Sequence, residues 1–451
     1  MKIIKIWYWK KKQYKEITFD LFRITLNKIN KINSLLDNKN NKEINNLIKK
    51  LSNNSFNINQ TKDLSNIITN EFDKIENSIR IITNKPKLTL IYESKENGKE
   101  RIFGRDFVEK NYNNIKLIIN EKECPLVEYY NLKKGENNVE IRIINKLNNL
   151  SKMFFNCKSL KKIEGFEYLD IKNVKDLSYM FYSCSLLSDI ESLKYWDVSN
   201  VENFENMFYF CGSLKDISSL KNWNVSNGKK FNQMFSYCID LLDISSLENW
   251  DVSNGKTFNK MFSDSPRLSN INPLKKWNFS NAINISGMFN GCKSLKDISP
   301  LKNWNISKVE NFGHMFEGCS SLKDLKPLEN WNFCNAKNFS GLFTRCEFSN
   351  IYPLKSWDVS NVEDFSFMFY SCIYLKDISS LKNWNISKCQ NFKEMFSYCM
   401  LLSDINPLKN WNISKTSNFD RMFYKSYKID FTPIEDWNVS DDIKNIIKQK
   451  S

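Results

Sequence analysis

Residues 203–227 read NFENMFYFCGSLKDISSLKNWNVSN, and nearly the same string returns at 257–281 as TFNKMFSDSPRLSNINPLKKWNFSN and at 391–415 as NFKEMFSYCMLLSDINPLKNWNISK. A catalytic constellation is needed once per chain, whereas a string written many times serves architecture. Trp recurs at 196, 223, 250, 277, 304, 331, 357, 384, 411 and 437, in steps of 27 residues with two of 26. A Met-Phe pair recurs in phase from Met153 to Met422, with Leu342-Phe343 filling the single gap, which makes eleven units between about 144 and 440. Self-similarity at this period marks a stacked-repeat architecture.

Within one unit, Phe204, Met207, Phe208 and Cys211 fall at i, i+3, i+4 and i+7. That spacing predicts an apolar stripe on a short helix, with Ser199 or Asn200 as its N-cap. Gly212-Ser213 ends it, and Leu214, Ile217 and Leu220 follow as an expected extended stretch leading to Trp223 and Val225. Neither face can be buried alone. Stacking neighbouring units buries both, and the extended stretch is expected to pass its backbone hydrogen bonds to the next rung. The fold class read from this pattern is an α/β solenoid, right-handed, of about eleven 26–27-residue rungs.

The string W-[DN]-[VIF]-S-[NK]-x-x-x-F-x-x-M-F-x-x-C-x-x-L-x-D-I-x-x-L resembles the BspA-type leucine-rich repeat, in its mycoplasma-type surface-protein branch, over about two thirds of the chain. The resemblance implies a curved leucine-rich-repeat solenoid that binds other macromolecules, often at a cell surface. This chain departs from the family in having Phe204, Phe231, Phe258 and Phe392 where Met is common, and in showing no export signal. The start, MKIIKIWYWKKKQ, has an apolar run broken by Lys5 and closed by Lys10, and no apolar run reaches the ~18–20 residues that cross a bilayer. A cytoplasmic location is the expectation, with the cell surface as the family's alternative.

Several columns accompany the repeat. Cys stands at 157, 184, 211, 238, 292, 319, 346, 372 and 399, with Ser265 and Ser426 in phase. Serine would abolish a disulfide but not a packed, hydrogen-bonded thiol. There is no CxxC and only one His, so these are read as buried reduced thiols, neither bridged nor metal-bound. The Trp, Phe and Met columns are read as core in preference to nucleic-acid stacking platforms. Asn-x-Ser, which recurs after Trp, is read as a turn and not as a glycosylation signal, because Asp197, Asp251 and Asp358 replace the Asn in phase.

Two columns are candidates for partner contact. Asp216, Asp243, Asp297, Asp324, Asp377 and Asp404 form one, with Asp189, Asn270, Asn350 and Asp430 in phase; these oxygens are expected to close a turn, or else to face a cationic partner. Lys221, Lys275, Lys302, Lys355, Lys382 and Lys409, with Lys194, form the other, a solvated rim able to meet an extended acidic partner. His314 is expected to face solvent. No phosphate loop, GxGxxG, GxSxG, HExxH or acidic calcium loop occurs, so no enzyme activity, cofactor, metal or small-molecule substrate is expected.

The chain before the repeat divides in two. Residues 1–87 carry 18 Lys and Arg against 8 Asp and Glu, although the whole chain has a net charge of only +15. Helical periodicity at 16–36 and 62–82 predicts a basic helical segment over 1–85, able to dimerise. A charged aromatic stretch, IKIWYWKKKQ, makes binding to an anionic membrane or to nucleic acid the alternative function. Residues 86–145 are expected to be a small, mostly antiparallel module with strands at KLTLIY, KERIF, NIKLIIN and NNVEIRII. A hairpin turn is expected at Asn97-Gly98 and a helical turn from Phe103, the whole capping a solenoid at 146–440; residues 441–451 form a terminal cap and tail. The heavy use of Asn and Lys is read as compositional bias. The expected function is a non-catalytic protein-binding surface.

Overall fold

The computed structural model describes residues 87–435 and 437–448. The helical segment expected over 1–85, with its possible self-association and its basic aromatic stretch, lies outside the described residues, as does the end of the Lys-rich tail.

The structure is built from repeating units, but the two halves of each unit exchange the roles expected of them. No α-helix forms on the Phe204–Cys211 stripe. Its amides alternate. Phe204, Asn206, Phe208 and Phe210 donate forward to the carbonyls of Lys230, Asn232, Met234 and Ser236 one unit later, at 2.8–3.0 Å. Between them, Met207, Tyr209 and Cys211 donate back to Phe204, Asn206 and Phe208. Phe204–Met207 and Phe208–Cys211 are therefore successive turns with a left-handed third residue, Asn206 at φ 56° and Phe210 at φ 60°. This is the feature of a type II turn. Two turns of four residues reproduce the i, i+3, i+4, i+7 spacing of a helix, and that coincidence misled the periodicity.

Every unit repeats this pair of left-handed residues, yet glycine fills only Gly287, Gly291, Gly318 and Gly341. Elsewhere Lys, Tyr, Gln, Asp, Arg and others accept a conformation that costs an L-residue ~1–2 kcal/mol. Pairing with the next rung and burial of the stripe offset it: Phe204, Met207, Phe208 and Cys211 are all fully buried. Immediately before the stripe a single residue per unit joins a parallel bridge, from Asp176↔Asn203 through to Asn391↔Asn418.

The stretch expected to be extended instead holds a 3-10 helix, Ser218–Asn222 in this unit, with Leu220 buried. Its Ile217 and the following Trp223 complete the core. Trp196, Trp223, Trp250 and Trp277 stack nearly parallel at 6.4 Å between ring centroids, and each indole N–H donates to a carbonyl of the preceding unit, as Trp250 Nε1 does to Leu220 at 3.1 Å. The cysteines behave likewise: Cys211 Sγ donates to the Phe181 carbonyl at 3.1 Å, and Ser265 Oγ makes the same bond to Phe235 at 3.2 Å. All twelve thiols are free.

Asparagine has a structural role, as the turn reading of its in-phase positions expected. Most units close three turns through a side-chain oxygen accepting the amide two residues on, for example Asn203 from Glu205, Asp216 from Ser218 and Asn224 from Ser226, while Lys230 and Thr257 take the first of these positions without such a bond. A further Asn reaches back: Asn227 Nδ2 donates to the Ser199 carbonyl at 2.7 Å. These contacts replace the expected N-cap and account for the Asn-x-Ser motif.

Before the units, β1 (Leu88–Ser94), β2 (Gly98–Arg101), α1 (Arg105–Asn111), β3 (Ile115–Ile119), β4 (Lys122–Pro125), β5 (Tyr129–Leu132) and β6 (Gly135–Ile143) are followed by β7 (Leu160–Glu164), which belongs to the first repeat unit. The sheet order is β4-β3-β6-β1-β7, with β2-β5 as a separate pair. The sheet therefore crosses the boundary expected near 145. Asn97-Gly98 does not form a hairpin, since β1 and β2 pair elsewhere. The tight hairpin is β3–β4, through Asn120 and Glu121 at φ 51° and 63°, as a two-residue turn with both residues left-handed requires.

The module packs on the first unit. β1 pairs antiparallel with β7, Phe103 packs on Phe154 at 5.6 Å, and Gly104 N donates to the Met153 carbonyl. A Cβ at Gly104 would lie 2.0 Å from the Lys152 carbonyl oxygen. Gly104→Ala is therefore expected to lift the module from the first unit while later units stay intact. Limited proteolysis should cut the variant between residues 143 and 153 long before the parent, and equal cutting rates would refute this. At the other end α2 (Asp441–Lys448) follows the last Trp and buries Ile447.

Candidate binding surface

The 3-10 helices hold both sequence-derived columns. Asp216, Asp243, Asp297, Asp324, Asp377 and Asp404 stand exposed before them. Each accepts the amide two residues on at 2.7–2.8 Å. One oxygen of each carboxylate is thus spent on a turn. Lys221, Lys275, Lys302, Lys355, Lys382 and Lys409 are exposed in the same helices or just after them. Among the described residues Lys221, Lys275, Lys302, Lys355 and Lys382 enter no salt bridge, which leaves a row of solvated cations.

The turn stretches build a second surface that the sequence reading passed over. Phe155, Tyr182 and Tyr209, each directly after the invariant Phe, stack face to face at 4.7 Å. Phe210 and Tyr237 extend them, 5.4 Å apart and 45% and 36% exposed. Ile239 and Leu242, about half exposed, follow in the same unit as Tyr237. Burial raises the Tyr209 hydroxyl above its ordinary pKa, with the neighbouring Tyr182 and Tyr237 adding to it. Near the C-terminal end Tyr370, Tyr398 and Tyr424 meet edge to face at 5.5 and 5.7 Å, and Lys425 Nζ lies 5.5 and 5.3 Å from the Tyr398 and Tyr424 centroids. Exposed Ile373, Tyr374, Met400 and Tyr427 accompany this second cluster. The signal was present as aromatics trailing the Met-Phe pair, but a helix reading scatters those positions around a cylinder.

Between the clusters the left-handed positions turn to glycine, and polar side chains lie across them. The His314 ring covers Gly341, where a Cβ would meet Nδ1 at 2.3 Å. His314 is therefore not simply solvent-facing: its Nδ1 bonds Glu317 at 2.8 Å, and Asn290 Nδ2 donates to the same carboxylate at 2.9 Å. Burial works against the Glu317 charge, but the His314 bond and charge, then Arg345 and Asn290, outweigh it and hold the carboxyl below its usual range.

A cleft of about 440 Å³ opens between the module and the first unit, lined by Arg101, Arg105, Asp106, Glu128, Tyr129, Lys152 and Phe155. Four of its charges are paired within it, Arg101 with Glu128 and Lys152 with Asp106, and Arg105 pairs with Glu109 on its own helix. Among the described residues no group of three or more His, Cys, Asp or Glu is placed to hold a metal ion, and no helix is long and apolar enough to cross a membrane. Burial pushes the thiols of Cys238, Cys292 and Cys372 up to about 12, so they are poor nucleophiles in the folded chain.

A family described as Mycoplasma protein of unknown function, DUF285, matches residues 148–270, 239–353 and 343–450 in three tandem stretches. No curated protein matches the chain.

Proposed function

This chain belongs to the DUF285 family of mycoplasma proteins, matched from 148 to 450, and from that membership we propose that it is a non-catalytic macromolecule-binding protein whose repeat units form a leucine-rich-repeat-like, BspA-type solenoid. The observation that carries the reading is the pair of exposed aromatic and aliphatic clusters at the two ends of the turn surface, around Phe210 and Tyr237 and around Tyr398 and Tyr424. Exposed contiguous apolar surface rimmed by charge favours protein partners, and Tyr and Phe are enriched at interface cores. The Lys column, interrupted by Glu248, Glu329 and Glu435, offers the rungs that carry it a further contact with an acidic segment. Repetition lets small contacts sum along the array.

Phe210, Tyr237 and Tyr398 occupy left-handed positions at φ 60°, 58° and 59°, where in-phase units carry Gly291 and Gly318. Glycine there removes the aromatic without straining the backbone. Full-length chain is expected to capture a protein partner from lysate, with capture little changed by salt. The triple variant Phe210→Gly, Tyr237→Gly, Tyr398→Gly should lose it. Capture unaffected by the triple variant would defeat this reading. Capture of only RNA or anionic lipid, collapsing as salt rises, would instead favour action through the basic residues 1–87.

A further inference from the structure

The residues directly before and after the buried Cys column stand on the turn surface, and their order is symmetric about the unit of Cys319. Three units before that centre lie Tyr237 and Ile239, and three units after it lie Tyr398 and Met400. Two units away, Pro266 stands on one side and Ile373 on the other. One unit before the centre the Cys is followed by Lys293, and one unit after it by Glu347. Apolar residues are thus balanced at equal distances, while charges at equal distances are opposite in sign. These positions are accessible: Ile239 is 51%, Ile373 38% and Met400 37% exposed, Lys293 is exposed, and the Glu347 side chain is 41% exposed although Lys323 pairs with it. Successive members of the column touch, since a Cβ on Gly212 would meet Ile239 Cγ1 at 3.4 Å. At the centre Gly318 and Ser320 flank Cys319, and Gly291 precedes Cys292. Residues this small let a second backbone approach closely.

A surface of this kind fits a copy of itself. Turn a second copy by half a turn about an axis that runs along the central unit, in the plane of the surface. Each column then stays on itself and the order of the units reverses. A residue a given number of units before the centre meets the residue equally far after it, and does so twice, as an isologous interface requires. Tyr237 meets Tyr398 of the second copy, Ile239 meets Met400, Pro266 meets Ile373, and Lys293 meets Glu347. Phe210, four units out, meets Lys425, an aromatic ring against a cation. Tyr427 meets Gly212, a large ring against a residue with no side chain. At the axis Glu317 meets its own copy, and bonds from His314 and Asn290 within its chain hold its charge. An unrelated partner gives no reason for opposite charges and matched apolar residues to lie at equal distances from one centre.

We infer that the turn surface centred on Cys319 is the interface of an antiparallel dimer of this chain. The inference rests on the reading of the two aromatic clusters as a protein-binding surface, and it names a second copy as their occupant.

The test is sedimentation velocity of the full chain with exchanged charges. The parent is expected to sediment as a dimer at ~10 μM. Lys293→Glu and Glu347→Lys each set like charges face to face twice, and each alone should raise the dissociation constant about tenfold or more. Mixing the two single variants should restore dimerisation, because both pairs in the mixed dimer are again of opposite charge. The double variant Lys293→Glu, Glu347→Lys should dimerise like the parent, and the triple glycine variant at 210, 237 and 398 should be monomeric. A monomeric parent would overturn the inference. So would a dimer indifferent to both single changes, which places the contact elsewhere in the chain, or a mixture that stays dissociated. A monomeric parent whose triple variant still loses capture from lysate would overturn the dimer alone and leave the protein-binding reading standing. A dimer that passes the exchange test, beside lysate capture indifferent to the triple variant, would support the dimer and defeat only the capture of a different protein.

Discussion

Replacing Trp250 with alanine is expected to destabilise the array by about 3–5 kcal/mol, the range for deleting a large buried aromatic from a core. Trp250 is 3% exposed. It stacks at 6.4 Å on both Trp223 and Trp277, and its indole donates to Leu220 at 3.1 Å. The substitution therefore opens a cavity, interrupts a continuous ring column on both sides, and strips the buried Leu220 carbonyl of a donor. In a stacked array stability is close to a sum of unit and nearest-neighbour terms. The loss should fall on the junctions beside residue 250 and uncouple the two halves. Denaturant unfolding of the variant should show two transitions where the parent shows fewer. Trp250→Phe, which keeps most of the ring but not the donor, should lie between. A variant that unfolds like the parent would mean that the Trp column carries little of the coupling between units.

The second large effect is a loss of stability in alkali. Burial pushes Cys238, Cys292, Cys372 and Cys389 from near 9 up to about 12. A folded-state thiol pKa above the unfolded one means that the native state keeps protons the unfolded state releases. Stability is then full below about 9 and falls as pH rises from there towards 12, at roughly 1.4 kcal/mol per pH unit for each such thiol. The chain should denature at far lower urea at pH 10.5 than at pH 8. Tyr and Lys also titrate in this range, so the control is a variant with Cys238→Ser, Cys292→Ser and Cys372→Ser. Serine is tolerated because Ser265 and Ser426 already donate to Phe235 and Phe396 in the same place. At pH 7 the variant should match the parent within ~1 kcal/mol. In alkali it should decline less steeply, and an unchanged pH dependence would show that the thiols do not titrate on unfolding.

Both effects trace to residues that were legible as columns before any coordinates. The inward placement of Trp, Phe, Met and Cys, the reduced state of the thiols and the turn-closing role of the Asp and Asn-x-Ser positions all follow from repetition. A residue kept in every unit answers a constraint present in every unit, and packing is that constraint. The same logic failed where two geometries share a period. Phe204, Met207, Phe208 and Cys211 satisfy helical spacing, yet they lie on consecutive turns whose left-handed residues are rarely glycine. The usual punctuation was missing. The module shows the complementary failure: strands β1, β3 and β6 were visible in their alternation, but partner choice was not, so the hairpin fell at Asn120-Glu121 and not at Asn97-Gly98.

The sequence by itself determined that this protein is a tandem array, how many units it has, and which side chains make its core, because hydrophobic pattern and period are local properties repeated along the chain. Only the tertiary structure decided which half of each unit carries the bonds between rungs, and that scattered Phe and Tyr residues gather into two exposed clusters. Those features depend on where a backbone N–H points and on which unit lies beside it, and neither is written in the spacing of residues within a single copy.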